Sequence, residues 1–539
     1  MHFLSLAMAL GAALSVSATQ IHHRPEDYLV KKLPHTPPSN RTVAPQKVHE
    51  RRATIERRAN GKVNMAYYTN WSIYARAFYP QNIDASKLTH ILYGFADCDA
   101  TTGQVTLTDL NADQLKLYDD DNSSEGGTNL YGNLKQLYLM KQKNRSLKVM
   151  LTIGGFTYSQ EGHFNFITSS SARATFISSA ITIMEDNGLD GIDIDFEFPT
   201  AGAQAQGYAS LLSELRTALN SHAAKKGETN PYQITAAVPA GSDNYTKLLV
   251  SQMDPSLTFW NLMAYDYSGD WSSAADDQAN LYGPTTTGFD TNTAIQWYTA
   301  NGATASKIAL GMPIYGRSFE NTGGRGQSYS GVGTGTWDSG VYDYKALPLS
   351  GAVVYEDSSR GSSYSYDSSK REWVSYDTPN IIRQKAAYAV SKGLAGGMFW
   401  ELSADKTGSE SLVGASASSL GSLDSTPNHL YYPYSKFDNV KNNMGQGTVL
   451  PTTSAQVTST TTTKTTTQVA TTTTTTSAAA TTTASTGGGC SGLSAWRSDI
   501  AYVGGDVVTY NGHKWTAQWW NQAELPGGAS GVWTDNGAC

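Results

Sequence analysis

Along most of the chain, short and nearly continuous apolar runs alternate with segments of helical spacing. Eight runs read as buried strands: "KVNMAYYTN" (62–70), "THILYGFA" (89–96), "LKVMLTIGG" (147–155), "GIDIDFEF" (191–198), "QITAAVPAG" (233–241), "TFWNLMAYDY" (258–267), "KIALGMPIYG" (307–316) and "GGMFWELS" (396–403). Between several of them the apolar residues recur at three and four. Tyr208, Leu211, Leu212, Leu215 and Leu219 share one helical face, with Gly227 as a stop. Phe176, Ala180 and Met184 do the same before Gly188. Eight strands alternating with helices predict an α/β fold, a (β/α)8 TIM barrel. The connection between the seventh and eighth strands is too long for a loop. Residues of about 318–385, with "AVVYEDSSRGSSYSYDSSKREWVSY", predict a small antiparallel α+β insertion domain.

One strand breaks the apolar pattern. In "DGIDIDFEFP" (Asp190 to Pro199), Ile192, Ile194 and Phe196 alternate with Asp193, Asp195 and Glu197. Alternate strand residues face opposite ways. The apolar set can pack on surrounding helices, so the three carboxylates point into the barrel. Such a row is costly unless paired or put to work, and close like charges cannot all ionise. At least one pKa is pushed up. Glu197, nearest the C-terminal end of the strand, is then placed as a general acid at the barrel mouth. A salt-bridged structural cluster or a Ca²⁺ or Mg²⁺ site is disfavoured, because Ca²⁺ loops use turn residues and not alternating Ile and Phe.

Composition changes the picture at both ends. Phe3 to Val16 is apolar but too short to span a bilayer, and small residues follow it. Residues 1–18 are expected to be a secretory signal, which predicts an extracellular protein. Residues 19–58 are basic and end in paired arginines, and are expected to be a pro-segment cut after Arg58. Its loss would move the net charge from −7 to about −12. That charge does not suggest a nucleic-acid partner. No further run is long and apolar enough for a membrane span. Residues 447–489 are dominated by Thr with Ser and Ala, and cannot bury a core; they read as an O-glycosylated linker between a barrel domain over 59–435 and a module over 490–539. Cys490 and Cys539 bracket that module and are expected to pair. Cys98 is left over, buried and inert. Asn122, Asn144 and Asn244 begin sequons on expected loops, whereas a glycan at Asn70 would block the barrel mouth.

The motif "DGIDIDFE" resembles the DxxDxDxE signature of glycoside hydrolase family 18, the chitinases. "LTIGG", "NLMAYDY", "GMPIYGRSF" and "GGMFWELSAD" are similar to that family's third, sixth, seventh and eighth strands, so the resemblance covers roughly 62–405. It implies a secreted enzyme cutting β-1,4 bonds between N-acetylglucosamine units, with chitin and chito-oligosaccharides as partners, no metal or other cofactor, and monomeric action. It also implies substrate-assisted retention, in which the 2-acetamido group of the sugar is the nucleophile. Glu197 would be acid and then base. Asp195 would orient the acetamido group, Asp193 would share a proton with Asp195, and Tyr265 would hydrogen-bond the acetamido oxygen. Asp266 and Met263 would line the pocket, Trp400 would floor it, and Tyr67 and Thr152 would offer hydroxyls to Asp193. Arg317 would contact substrate, and Asp190 would be structural. Thr152 stands where the family usually has Ser, and Phe156 where it often has Trp, which implies weaker product-side stacking. Two other readings share the barrel: an endo-β-N-acetylglucosaminidase on N-glycans, which the tail and insertion argue against, and a chitin-binding lectin, which typically lacks the acid.

The last 50 residues form an expected all-β carbohydrate-binding module. Its five tryptophans are too many for so small a core, so some must face solvent. The pattern through "AWRSDIAY", "GDVVTYNGHKWTAQWW" and "GVW" resembles carbohydrate-binding family 5/12. Trp519 and Trp520 are the expected binding face, with Trp496 and Tyr502 as further candidates; one of the adjacent pair is expected to face inward.

Overall fold

The computed structural model describes residues 61–283, 286–447, 493–498, 500–502, 505–518, 521–522, 524–528 and 531–539. The expected signal, the pro-segment, nearly all of the linker, Cys490, Trp519 and Trp520 lie outside the described residues.

Eight parallel strands close into a barrel: β1 (Val63–Thr69), β2 (His90–Cys98), β3 (Lys148–Gly154), β4 (Gly191–Asp195), β5 (Gln233–Pro239), β6 (Phe259–Met263), β7 (Ile308–Pro313) and β8 (Gly396–Trp400). Each pairs with its chain neighbour, and β8 returns to β1 with Val63 opposite Gly396. All eight expected strands are present. Several leave the ladder earlier than their apolar pattern suggests: β4 ends at Asp195, so Glu197 stands just beyond the last paired residue.

The alternation along each strand sorts side chains into two layers. Outward residues such as Ile192 and Ile194 join a core shared with the helices, while inward residues such as Met65, Met150, Phe259, Ala309 and Met398 fill the barrel. The helix Ala203–Lys225 buries Tyr208, Leu211, Leu212, Leu215 and Leu219, each at most 1 % exposed. Gly227 follows it at φ 71°, the left-handed geometry that stops a helix. Each fully buried leucine contributes roughly 1.5–3 kcal/mol. The helix Ser170–Asp186 is capped by Ser169, whose hydroxyl accepts from the Ala172 N–H, and buries Phe176, Ala180 and Met184.

After β7 the chain leaves the barrel into a five-stranded antiparallel sheet, ordered Val341–Asp343, Tyr315–Phe319, Glu372–Ser375, Ser362–Asp367, Val353–Asp357. Its helical part is one 3-10 turn, Tyr344–Ala346. The chain is back in the barrel layer by Pro379–Ser391. Beyond residue 435 the barrel domain continues: Phe437 and Val440 are buried in its core, and Asp438 accepts a hydrogen bond from the Thr128 N–H. The C-terminal module pairs Val507–Tyr510, His513–Ala517 and Trp533–Ala538 in one antiparallel sheet and Ala501–Tyr502 with Asn521–Gln522 in a second. Among the described residues no helix is long and apolar enough to cross a membrane.

Candidate active site

The inward face of β4 carries Asp193 and Asp195, and Glu197 follows at its C-terminal end. Asp193 is fully buried and accepts four hydrogen bonds from four other strands. Tyr67 of β1 donates at 2.9 Å and Thr152 of β3 at 3.0 Å, both to Oδ2. Thr235 of β5 at 2.5 Å and Asn261 of β6 at 3.0 Å donate to Oδ1. Register makes this convergence necessary, since Thr152 and Thr235 are the ladder partners of Asp193 on either side. The threonine at 152 therefore keeps the hydroxyl where it is needed. Every donor is neutral, so burial still raises the Asp193 pKa.

Asp195 and Glu197 are each 4 % exposed. Burial and the adjacent Asp193 hold the Asp195 carboxyl well above the usual range. Burial, then Asp195 and Asp266, do the same for Glu197. The Asp195 Oδ1 atom is buried with no hydrogen-bond partner. Around this pair the backbone is held closely. The Gly155 N–H donates to the Asp195 carbonyl, and a Cβ on Gly154 would sit 2.3 Å from that same oxygen, so only glycine fits there. The Glu197 N–H donates to the Ser159 hydroxyl at 2.9 Å, and the Gln160 amide donates to the Glu197 carbonyl at 2.5 Å.

Tyr265 is 6 % exposed, with burial and then Asp195 and Glu197 raising its pKa well above that of a free phenol. Room for its ring comes from Gly311, where a Cβ would approach Tyr265 to 3.0 Å and the Leu262 carbonyl to 2.2 Å. Beside it, Asp266 accepts from Tyr315 at 2.7 Å and from Arg317 at 2.5 Å. The Arg317 guanidinium also lies 4.5 Å from the Trp271 ring centre. Arg317, expected to touch substrate, is 4 % exposed and engaged by Asp266 and Trp271, so its visible work is to hold Asp266 in place. Trp400, partly buried at the end of β8, lies 5.2 Å from Tyr67 and 5.8 Å from Phe95. Phe95 in turn stacks on Trp71 at 6.0 Å and 18°.

A cavity of about 280 Å³ opens beside Glu197. Phe156, Met263, Tyr265 and Asp266 line it as expected, and Trp271, Phe289, Asp243 and Lys247 join them. These last four were not singled out in the sequence, nor were Thr235 and Asn261. Asn244 also lines the cavity, and its amide oxygen accepts from Lys247 at 2.9 Å. Asn244 stands in the short helix Ser242–Tyr245 and is partly exposed. Asn122 is exposed, Asn144 donates to the Ala85 carbonyl, and Asn70 is 3 % exposed. Asp190 lies at the opposite end of β4, accepting from the Val149 and His429 N–H groups and pairing with Lys141 at 2.8 Å. In the module, Tyr502 does not face solvent as expected. It is 5 % exposed, its ring is edge-on to Trp533, and its hydroxyl accepts from the Arg497 N–H. Trp496 is partly buried against the same small core.

Residues 63–405 match glycosyl hydrolases family 18. The chain belongs to that family. Residues 495–534 match carbohydrate-binding module family 5/12. Among curated relatives of this family 18 chain, "Chitinase 1" of Aphanocladium album is 47% identical over 397 residues, covering 73% of this chain and 93% of the relative. "Endochitinase 1" of Metarhizium robertsii is 46% identical over 394 residues, covering 72% and 92%. Among solved structures, the catalytic domain of psychrophilic chitinase B from Arthrobacter TAD20 superposes with a TM-score of 0.62 at 28% identity, over 69% of this chain and 99% of that one. The family 18 barrel is thus a glycoside hydrolase joined to a carbohydrate-binding module.

Proposed function

We propose that this protein is a secreted chitinase that hydrolyses β-1,4 bonds between N-acetylglucosamine units by substrate-assisted retention, acting as a single chain. The observation that carries this reading is the state of the two outer carboxyls. Asp195 and Glu197 are buried and have pKa values raised well above normal, while Asp195 Oδ1 has no donor. A buried acceptor without a donor is suited to a substrate N–H. The acetamido N–H of the bound sugar supplies it, and Asp195 turns the acetamido oxygen toward the anomeric carbon. Glu197, protonated, gives its proton to the leaving oxygen. The acetamido oxygen attacks the anomeric carbon as its bond to the leaving oxygen breaks, forming a cyclic oxazolinium ion with an inversion that the later attack of water reverses, so that configuration is retained overall. Asp195 balances the positive charge that develops on the acetamido nitrogen, and Asp193 beneath it shares the proton. Glu197, now ionised, takes a proton from water, and the hydroxide opens the ring. Tyr265 donates to the acetamido oxygen and Trp400 carries the sugar ring from below.

The names of the relatives and the carbohydrate-binding module support a chitin substrate over an N-glycan. Sugars on the glycon side would run outward over Trp400 and Trp71, with Phe95 buried behind them, and the leaving sugars would occupy the cavity between Phe156 and Trp271. A module tethered by a linker raises the effective concentration of an insoluble polymer. The test is a timed product profile on colloidal chitin for wild type and Glu197→Gln. Wild type is expected to release oligosaccharides and the variant almost none. A variant that keeps its activity sinks the assignment of Glu197. Activity on a glycoprotein but none on chitin moves the substrate to N-glycans.

A further inference from the structure

Outside the catalytic strand, Asp113 is a buried carboxyl near the barrel mouth that the mechanism does not use. Asp113 is 0% exposed. It lies in the irregular turn Asn111–Leu115, and its oxygens accept from Tyr93 at 2.5 Å, Asn70 at 3.2 Å and the Asp109 N–H at 3.2 Å. Burial pushes its pKa up to about 7 against the pull of those three donors. Among the described residues nothing cationic is bonded to it, so its burial calls for a reason beyond stability.

Its partners supply the reason. Asn70 is the first residue of the turn Asn70–Ile73, which follows β1 and presents Trp71. The Asn70 amide is shared between Asp113 and the Thr108 hydroxyl at 3.0 Å, and that hydroxyl donates to the Phe95 carbonyl at 2.6 Å. Asn133, whose amide reaches the Tyr93 hydroxyl at 3.3 Å, also faces the Asn70 carbonyl at 3.5 Å. The two aromatic rings stacked outward from Trp400 are therefore fixed from behind. Trp71 is held through Asn70, and Phe95 through Thr108. We propose that Asp113 is a positioning residue for substrate, clamping Trp71 on the buried Phe95 ring so that Trp71 meets the glycon-side sugars of an N-acetylglucosamine chain as a rigid platform. This rests on the function proposed above, which lays the chain over Trp71. It also gives the buried sequon at Asn70 a purpose: its amide belongs to the clamp.

Asp113→Asn keeps the shape but turns one acceptor into a donor, so either Tyr93 and Asn70, which share Oδ1, or the Asp109 N–H, which uses Oδ2, lose their acceptor. In the full-length enzyme, KM for a soluble N-acetylglucosamine hexasaccharide is expected to rise roughly fivefold, equal to ~1 kcal/mol of binding. Its kcat should stay within about twofold, and a chromogenic disaccharide glycoside should be turned over as before. Trp71→Ala should show the same split, and adding Asp113→Asn to it should raise KM no further, since both act through one platform. If the two changes add in full, or if Asp113→Asn lowers kcat on both substrates alike, the clamp is overturned. Should that variant not fold, Thr108→Val removes the other half of the clamp and must give the same KM effect. Failure of the proposed function would show separately, as activity retained in Glu197→Gln.

Discussion

Two regions of the barrel bury several ionisable groups, and they solve the problem in opposite ways. At the N-terminal end of β4, acids meet cations. Lys141 pairs with Asp190 at 2.8 Å, Lys226 with Glu185 at 2.9 Å, and His222 and His429 face Glu185 and Glu228 at 2.8 and 3.0 Å. Burial alone would raise the Glu185 pKa, but the hydrogen bond from His222 and the charge of Lys226 more than reverse it, and Glu228 is lowered likewise beside His429 and Lys226. At the C-terminal end, Asp193 accepts from four neutral donors, Asp195 lies beside Asp193, Glu197 lies beside Asp195 and Asp266, and burial raises all three pKa values. Burial of charge does not mark the reacting end of the barrel. What marks it is burial beside other carboxyls, which leaves carboxyls that hold protons.

This contrast can be broken most directly at Glu197. Glu197→Gln should cut kcat by roughly 10²–10⁴-fold, the scale of lost general acid catalysis, while the melting temperature stays level or rises. A large loss of stability instead would place Glu197 with the structural acids. The mirror experiment is Glu185→Gln. It leaves Lys226, 0% exposed at its side chain, without its nearest charge partner. Unfolding free energy should fall by about 3 kcal/mol in a denaturant titration, with kcat of the folded protein unchanged. Thr235→Val removes one of four donors to Asp193 and sharpens the comparison within the reacting end. A roughly tenfold fall in kcat is expected, a smaller effect than at Glu197 because three donors remain.

The pH dependences should run in opposite senses. Glu185 and Glu228 lie below the ordinary value of 4.5, so their contribution is full above it and is lost as pH falls through the depressed values. Melting temperature should drop on acidification below about pH 4.5, and less steeply in Glu185→Gln. Glu197 lies well above that value. Its proton is present through the acid range, and its ionisation as pH rises disfavours the fold. The alkaline limb of kcat/KM should therefore sit well above pH 4.5, and Glu197→Gln should gain stability relative to wild type as pH rises through that limb. A limb at or below the ordinary value would remove the contrast.

Much of this was readable from local pattern. The apolar runs located all eight strands, because a strand covered on both faces needs such a run. The alternation in "DGIDIDFEFP" put the acids inside. The placement of Glu197 needed more, since extended chain continues past the point where the ladder stops. Thr235 and Asn261 were missed for a related reason. Which residues lie opposite Asp193 depends on register between strands, and no single stretch of sequence states that register. Tyr67 and Thr152 were legible only through family resemblance. Asn70 was judged unusable because of the groove, yet the structure gives another reason, that its amide is already bonded. At Tyr502 the aromatic count could not say which rings make the core of so small a sheet.

The four-stranded grip on Asp193 has a consequence for how the enzyme comes into being. Its donors lie 126 residues before it, at Tyr67, and as far as 68 residues after it, at Asn261. No local piece of chain can assemble them. The carboxyl at the centre acquires its full set of partners only when the first, third, fifth and sixth strands have all arrived. Chemical competence is then a late event in the maturation of the chain, and a half-built barrel would be inert toward sugar polymers until the ring has shut.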